Sequence, residues 1–431
     1  MPTTPSAVSR RSFTRLFALG GSAALLADPA WARAMGAAPP LASGGPADGE
    51  MFWKSVRDQF VMPPELSVMN AANLCPASRP VAEVLMRESR SVDADPSPNN
   101  RLRLMPEKEK TRVALAEFLR VTPDEIIITR NTSESNNMVS NGLDLKAGDE
   151  VLLHEDNHPS NLTAWREKAK RFGFSVVVVP QKNPHPGPEY YVDAFSKAMT
   201  PRTRVVSVTH LSSTVGDIMP AKELAALAHS RGALFLLDGA QSFGLLDVNL
   251  ADIQPDFYSG SAHKWPCGAR ECGVLYVNKT AQAKLWPSVY SAYPGAVGFS
   301  KTFESFGQRD EATMIAFNEA LAFQTKIGRA DIEKRSRQLT TQLMDGLGRL
   351  PGITMWTSPV PERRAAVVSF VPGTLDANKL ADALYTNDKV GVTTRGGKDR
   401  PGLRVSPHFY NSPAEVDRLL ASLSKYLKSG V

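Results

Sequence analysis

Lys264 stands where an amine can become a nucleophile. It lies in Ser261-Ala262-His263-Lys264-Trp265, crowded by small residues and a histidine before it and by Trp265-Pro266-Cys267-Gly268 after it. An open-surface lysine stays hydrated and protonated. One in such surroundings loses hydration, and its lowered pKa favours Schiff-base chemistry. Asp238 stands 26 positions earlier, closes the apolar run Ala233–Asp238 and is followed by Gly239-Ala240-Gln241. A carboxylate ending a buried strand points into the crevice at the strands' carboxyl ends. There it can stabilise a protonated group of a ligand. Thr132 and Ser133, within Arg130–Glu134, follow the run Glu125–Thr129 and open a helical pattern, so backbone N–H groups, hydroxyls and the helix dipole converge on a place for an anion. His158, after the run Glu150–His154, brings an imidazole able to shuttle protons.

The elements that must position these groups read as an α/β fold. Glu125–Thr129, Glu150–His154, Ser175–Val179, Arg204–Val208 and Ala233–Asp238 are short apolar runs of the kind that form buried parallel strands, and Gly273–Val277 adds another. Helical patterns over Ser133–Leu143, Asn161–Phe172 and Ala221–Ser230 lie between them, which predicts a doubly covered sheet. A charged helical stretch runs from Met314 to about Leu350 with a break near Ile327-Gly328. Strands at Ala366–Phe370 and Leu403–Ser406, a helix near Ala377–Leu384 and a last helix from Pro413 suggest a smaller α+β C-terminal domain. The expected division is 1–34, a signal peptide; 35–65, a linker and N-terminal arm; 66–305, the large domain; and 306–431, the small domain.

Composition narrows the partners. The chain has 431 residues, 42% hydrophobic and 22% charged, enough for a large core. Of its net charge of +6, half belongs to the first 34 residues, where Arg10, Arg11, Arg15 and Arg33 face only Asp28. No basic run with interleaved aromatics points to nucleic acid. Cys75, Cys267 and Cys272 form neither a metal pattern nor a disulfide framework, and read as small buried residues. Ser9-Arg10-Arg11-Ser12-Phe13-Thr14, followed by the modest apolar stretch Leu16–Ala27 and small-x-small sites near Ala30–Ala34, reads as a twin-arginine export signal. The expected location is periplasmic or otherwise exported, with the twin-arginine machinery as partner and without stable membrane insertion, since no segment reaches about 18 apolar residues.

Residues 256–277 resemble the lysine motif of the class V aminotransferases, the group that holds cysteine desulfurases, isopenicillin N epimerase, kynureninase and serine–glyoxylate aminotransferases. The resemblance extends over most of residues 66–425. It implies pyridoxal 5'-phosphate (PLP) as cofactor, with Lys264 as its Schiff-base partner. It also implies the PLP-dependent transferase fold type I, a large domain with a mostly parallel seven-stranded sheet between helices, and a homodimer with sites at the subunit interface. In the motif Asp-Gly-Ala-Gln, Asp238 keeps the pyridine nitrogen protonated and Gln241 bonds the ring's phenolic oxygen. Thr132 and Ser133 form the phosphate cup, with Asn131 in place of the usual glycine, and Ser261 and His263 match further phosphate ligands. His158 matches the histidine that stacks on the ring. In His210-Leu211-Ser212-Ser213, Ser213 stands where the family has an asparagine near the phenolic oxygen. Arg404, in Arg404-Val405-Ser406, matches the arginine that clamps the substrate's α-carboxylate through its planar fork. Gln308, in Phe303–Gln308, stands where a threonine reaches the partner subunit's phosphate. Asn70-Ala71-Ala72-Asn73 resembles the stretch lining the substrate side, which makes Asn73 a candidate substrate contact.

All of these enzymes release the substrate's α-proton to the freed lysine as general base. The leading expectation is an aminotransferase acting on an amino acid and a keto acid. An isopenicillin N epimerase-like racemase is the alternative and a PLP-dependent lyase a third. Desulfuration is disfavoured, because Val392–Arg400 holds no cysteine to accept sulfur. A non-catalytic PLP-fold binding module is the reading of another class, and both Lys264 and Asp238 speak against it. A nicotinamide dehydrogenase is disfavoured by the lack of a G-x-G-x-x-G turn.

Overall fold

The computed structural model describes residues 39–182, 186–396 and 400–431. Runs such as Ile126-Ile127-Ile128 and Leu234–Leu237 are apolar at successive positions because their sheet is covered on both faces. Ile126, Ile128, Val206, Val208, Phe235 and Leu237 join one core, while Ile127, Val205, Leu236 and Leu275 join the other. Side chains alternate faces along a strand, so two cores demand apolar residues at every position.

Seven strands form this sheet: β1 (Ile126–Thr129), β2 (Glu150–His154), β3 (Ser175–Val179), β4 (Thr203–Thr209), β5 (Leu234–Asp238), β6 (Phe257–Ser261) and β7 (Gly273–Val277). Their spatial order is β1-β7-β6-β5-β4-β2-β3. β2 through β6 pair in parallel, whereas β7 runs antiparallel to both β6 and β1. The α/β class and the mostly parallel seven-stranded sheet are therefore as expected. Two details differ. β1 shares the common direction but bonds only to the reversed β7. β3 is an edge strand whose residues are mostly half-exposed, not a buried one.

Because β1, β2, β4, β5 and β6 run the same way, their carboxyl ends share one edge. Thr129, His154, Thr209, Asp238 and Ser261 end these strands, and the candidate residues follow in the loops and helix starts beyond them. This is where open α/β sheets place their ligand crevice.

A four-stranded antiparallel sheet, in the order Thr393–Arg395, Gly402–Val405, Val368–Pro372 and Ile353–Met355, forms the second layer. It covers its own core of Leu339, Leu343, Val368, Phe370, Leu403, Val405, Leu419 and Leu423. The strand expected at Ala366–Phe370 begins two residues later. Helices Glu311–Ile327 and Arg329–Gly348 meet at Gly328, whose φ of 102° breaks the helix where the sequence reading placed the interruption. The N-terminal segment is tied to this layer. Ser67–Val68 pairs in parallel with Val390–Gly391, and Asn70 bridges to Ser406. No helix among the described residues is long and apolar enough to cross a membrane. The twin-arginine segment lies outside the described residues.

Candidate active site

Asp238 is buried at the end of β5, and both of its oxygens are held. Asn136 Nδ2 donates to Oδ2 at 2.8 Å and Asn161 Nδ2 at 3.4 Å, while the backbone N–H of Ala240 reaches Oδ1 at 3.0 Å. Asn136 is itself fixed, since its Oδ1 accepts the Ser259 hydroxyl at 2.8 Å. Gly239 is required beside Asp238, because a Cβ there would meet the Tyr258 ring at 2.1 Å.

Lys264 follows β6 in a tight turn closed by Cys267 N–H to the Lys264 carbonyl at 2.9 Å. Its neighbour Trp265 anchors that turn. Trp265 Nε1 donates to Gln241 Oε1 at 2.8 Å, and its carbonyl accepts from Gln324 Nε2 and His408 Nε2, each at 2.7 Å. Burial pushes the Lys264 amine down to about 8; the Asp238 carboxylate opposes the shift and Arg404 adds to it. Gln241 spans the turn and the N-terminal segment, donating from Nε2 to the Ala72 carbonyl at 2.9 Å. An amide nitrogen has two N–H groups, so one remains for a ligand.

The helix Thr132–Gly142 opens directly toward β6. Its N-cap is Asn131, whose Oδ1 accepts Glu134 N–H at 3.0 Å. Asn131 has φ of −173°, extended backbone open to any residue, so the exchange for glycine costs no strain. Thr132 N–H donates to Ser261 Oγ at 2.8 Å, and the two hydroxyls lie 2.8 Å apart. Ser133 Oγ reaches Ser160 Oγ at 3.3 Å. His263 is half-buried, and burial, then Lys264 and Arg270, lower its imidazole to about 4. His158 caps the helix Pro159–Phe172 through Nδ1, which accepts Ser160 N–H at 3.2 Å. Its pKa is lowered first by burial and next by Lys264, which places it within electrostatic reach of the lysine.

Arg404 lies on Gly402–Val405 and is buried. Nη1 donates to the Ser213 carbonyl at 3.0 Å, Nη2 reaches Asn70 Oδ1 at 3.5 Å, and Nε has no partner. Burial, then Arg395, lowers its pKa to about 10. Three further candidates lie as follows. Ser213 meets Arg404 through its carbonyl, not its side chain. Asn73 is exposed, and it is Asn70, three positions earlier, that contacts Arg404. The short bridge from Asn70 to Ser406 brings this about. Gln308 accepts from Arg101 Nη1 at 2.9 Å and lines cavities that contain none of the other candidate residues. Asn136, Asn161 and Arg395 were not expected at the site, and Asn70 was expected only as part of the stretch lining its substrate side. Asn136 alone carried a signal, the i+4 spacing from Thr132 that puts both on one helix face.

These residues fit PLP. Around Asp238, Asn161 Oδ1 and His210 Nδ1 are buried without a hydrogen-bond partner, polar atoms that a bound group would satisfy. Burial alone lowers His210 to about 4, so its ring is neutral near pH 7. A helix N-terminus with two hydroxyls supplies anion donors, and the amine stands beyond it on the next strand end.

Fold and site together define a PLP-dependent enzyme of fold type I. The Aminotransferase class-V family model matches residues 81–419, and the chain belongs to that family. Isopenicillin N epimerase of Amycolatopsis lactamdurans is 30% identical over 396 residues, covering 87% of this chain and 99% of that protein. A probable cysteine desulfurase of Methanothermobacter thermautotrophicus is 27% identical over 388 residues, 84% of this chain and 95% of the relative. Among solved structures, apo cysteine desulfurase from Thermococcus onnurineus NA1 superposes with a TM-score of 0.80 at 24% identity, over 90% of this chain and all of the other.

Proposed function

We propose that the protein is an aminotransferase that acts at the α-carbon of an amino acid, with Lys264 as the base. The observation that supports this best is the amine of Lys264, lowered to about 8 on a rigid turn with Asp238 and Arg404 in its field. When bound, PLP supplies an electron sink for the charge left at the α-carbon. Asp238, oriented by Asn136, holds the ring nitrogen's proton. Thr132, Ser133, Ser261 and His263 would hold the phosphate, Gln241 would offer its second N–H, and His158 would lie against the ring. Arg404 orients the substrate by its carboxylate, which aligns the α-proton toward Lys264. An unprotonated amine accepts that proton.

Epimerisation is the second reading, favoured by the near-complete coverage of isopenicillin N epimerase. Desulfuration is not proposed: all three cysteines are buried, and none lies in residues 392–400. Incubation with an amino acid and a keto acid in deuterium oxide separates the readings. A new keto acid is expected for transamination. Deuterium at the α-carbon with lost chirality and no keto acid would replace it with epimerisation.

Assembly and location belong to the same reading. A homodimer is supported by Trp286, Tyr290 and Tyr293, 66–71% exposed on one loop, and light scattering of the purified protein tests it. Export rests on Arg10-Arg11, and replacing both by lysine should hold the chain in the cytoplasm.

A further inference from the structure

Arg395 stands beside Arg404, and among the described residues neither forms an ion pair with a carboxylate. The strands Thr393–Arg395 and Gly402–Val405 are antiparallel, with Thr393 opposite Arg404 and Arg395 opposite Gly402. Residues two apart on a strand share a face, so Arg395, Thr393 and Arg404 all project from one side of the sheet. The two guanidiniums converge on a single acceptor: Arg395 Nη1 donates to the Ser213 carbonyl at 3.3 Å and Arg404 Nη1 at 3.0 Å. A carbonyl oxygen carries no net charge to balance either. Nε of both side chains is buried without a partner. Among the described residues, no carboxylate lies in ion-pair contact with either arginine. Asp156, whose charge acts on Arg395, is already held by Arg400 Nη2 at 2.8 Å and by the Ser212 hydroxyl. Arg395 also belongs to the site electrostatically, for it lowers the pKa values of both His158 and Arg404.

Two like charges held together in a half-buried crevice favour the binding of anionic groups. We propose that Arg395 binds a second anionic group of the substrate, which makes the substrate a dicarboxylic amino acid or one with a comparable anion on its side chain. Arg404 takes the α-carboxylate and Arg395 the distal one. The competing arrangement is a single carboxylate shared by both arginines. This inference rests on the assignment of Lys264 and Arg404 above.

Calorimetric titration of the holoenzyme with glutarate and with valerate, which differ by one terminal carboxylate, tests it. Glutarate is expected to bind at least about tenfold tighter, the worth of one charge-assisted contact. Arg395→Gln should remove that preference and leave valerate affinity within about twofold, and Arg395→Lys should retain part of it. Equal binding of the two acids by the wild type would overturn the proposal, with no need for a folded variant. Equal weakening of both acids in Arg395→Gln would also overturn it and point to one shared carboxylate. Borohydride trapping of cofactor at Lys264 checks the underlying assignment separately. Trapping without a glutarate preference sinks this inference alone.

Discussion

Asn136 holds Asp238 by one side-chain hydrogen bond of 2.8 Å, and Ser259 locks the far end of the same amide. The carboxylate therefore cannot rotate without breaking a buried network. Replacing Asn136 by leucine leaves Oδ2 with only the longer Asn161 contact and orphans the Ser259 hydroxyl. Such losses cost about 1–3 kcal/mol each. The expected result is a lower melting temperature together with PLP affinity reduced by about tenfold, read by cofactor fluorescence. An unchanged PLP dissociation constant would show that Asp238 needs no such support.

Lys264 makes the cofactor-free protein pH-sensitive. Its amine sits at about 8 when folded against the ordinary 10.5. Between these values the unfolded chain binds the extra proton, so stability rises with pH across about 8 to 10.5, and the full penalty applies below 8. Lys264→Met should stabilise the cofactor-free protein at pH 7 by about 1–2 kcal/mol after solvent screening, and by little at pH 10. Urea melts at the two pH values read this difference. A variant no more stable than wild type at pH 7 contradicts it.

The fork of Arg404 offers two parallel donors that lysine cannot reproduce. Arg404→Lys should raise KM for any amino acid by about tenfold to a hundredfold, with a smaller change in kcat. A fall in kcat alone, at constant KM, would place the residue outside substrate binding.

Arg112 and Glu304 form a wholly buried ion pair, with Nη2 to Oε2 at 2.9 Å. Glu304 Oε1 also accepts the Ile128 N–H of β1 at 2.6 Å. Removing Arg112 leaves buried Glu304 with only Lys108 Nζ at 3.4 Å and the Ile128 N–H, at a cost of about 3 kcal/mol, the low end for breaking a buried pair. Arg112→Leu should therefore lose that much in denaturant unfolding, while Arg112→Leu with Glu304→Leu recovers much of it. No recovery in the double variant would mean that the β1 contact, rather than the charge, dominates.

Much of the site was legible from local chemistry. Asp238 announces itself because a carboxylate closing an apolar run is costly unless it faces a crevice. Lys264 does so by the small residues crowding it, and Thr132 by opening a helix just after a strand, whereas Ser261 was legible only through the family resemblance. The parallel runs also told which edge that crevice would occupy. Contacts between distant segments were not legible. Asn73 and Asn70 have the same side chain three positions apart, and only the bridge from Asn70 to Ser406 decides that Asn70 meets Arg404. The exposure of β3 follows from its place at the sheet edge, which its SVVVV sequence does not record.

Lys264, Asp238 and their spacing were determined by the chain alone, since each lies in a short stretch whose side chains create its own environment. The pairing of Arg395 with Arg404 was decided by the tertiary structure. Strand register sets which side chains share a face, and register depends on pairing between segments that the linear sequence keeps apart. Two arginines nine residues apart thus became one doubly charged site only when Gly402 came to lie opposite Arg395.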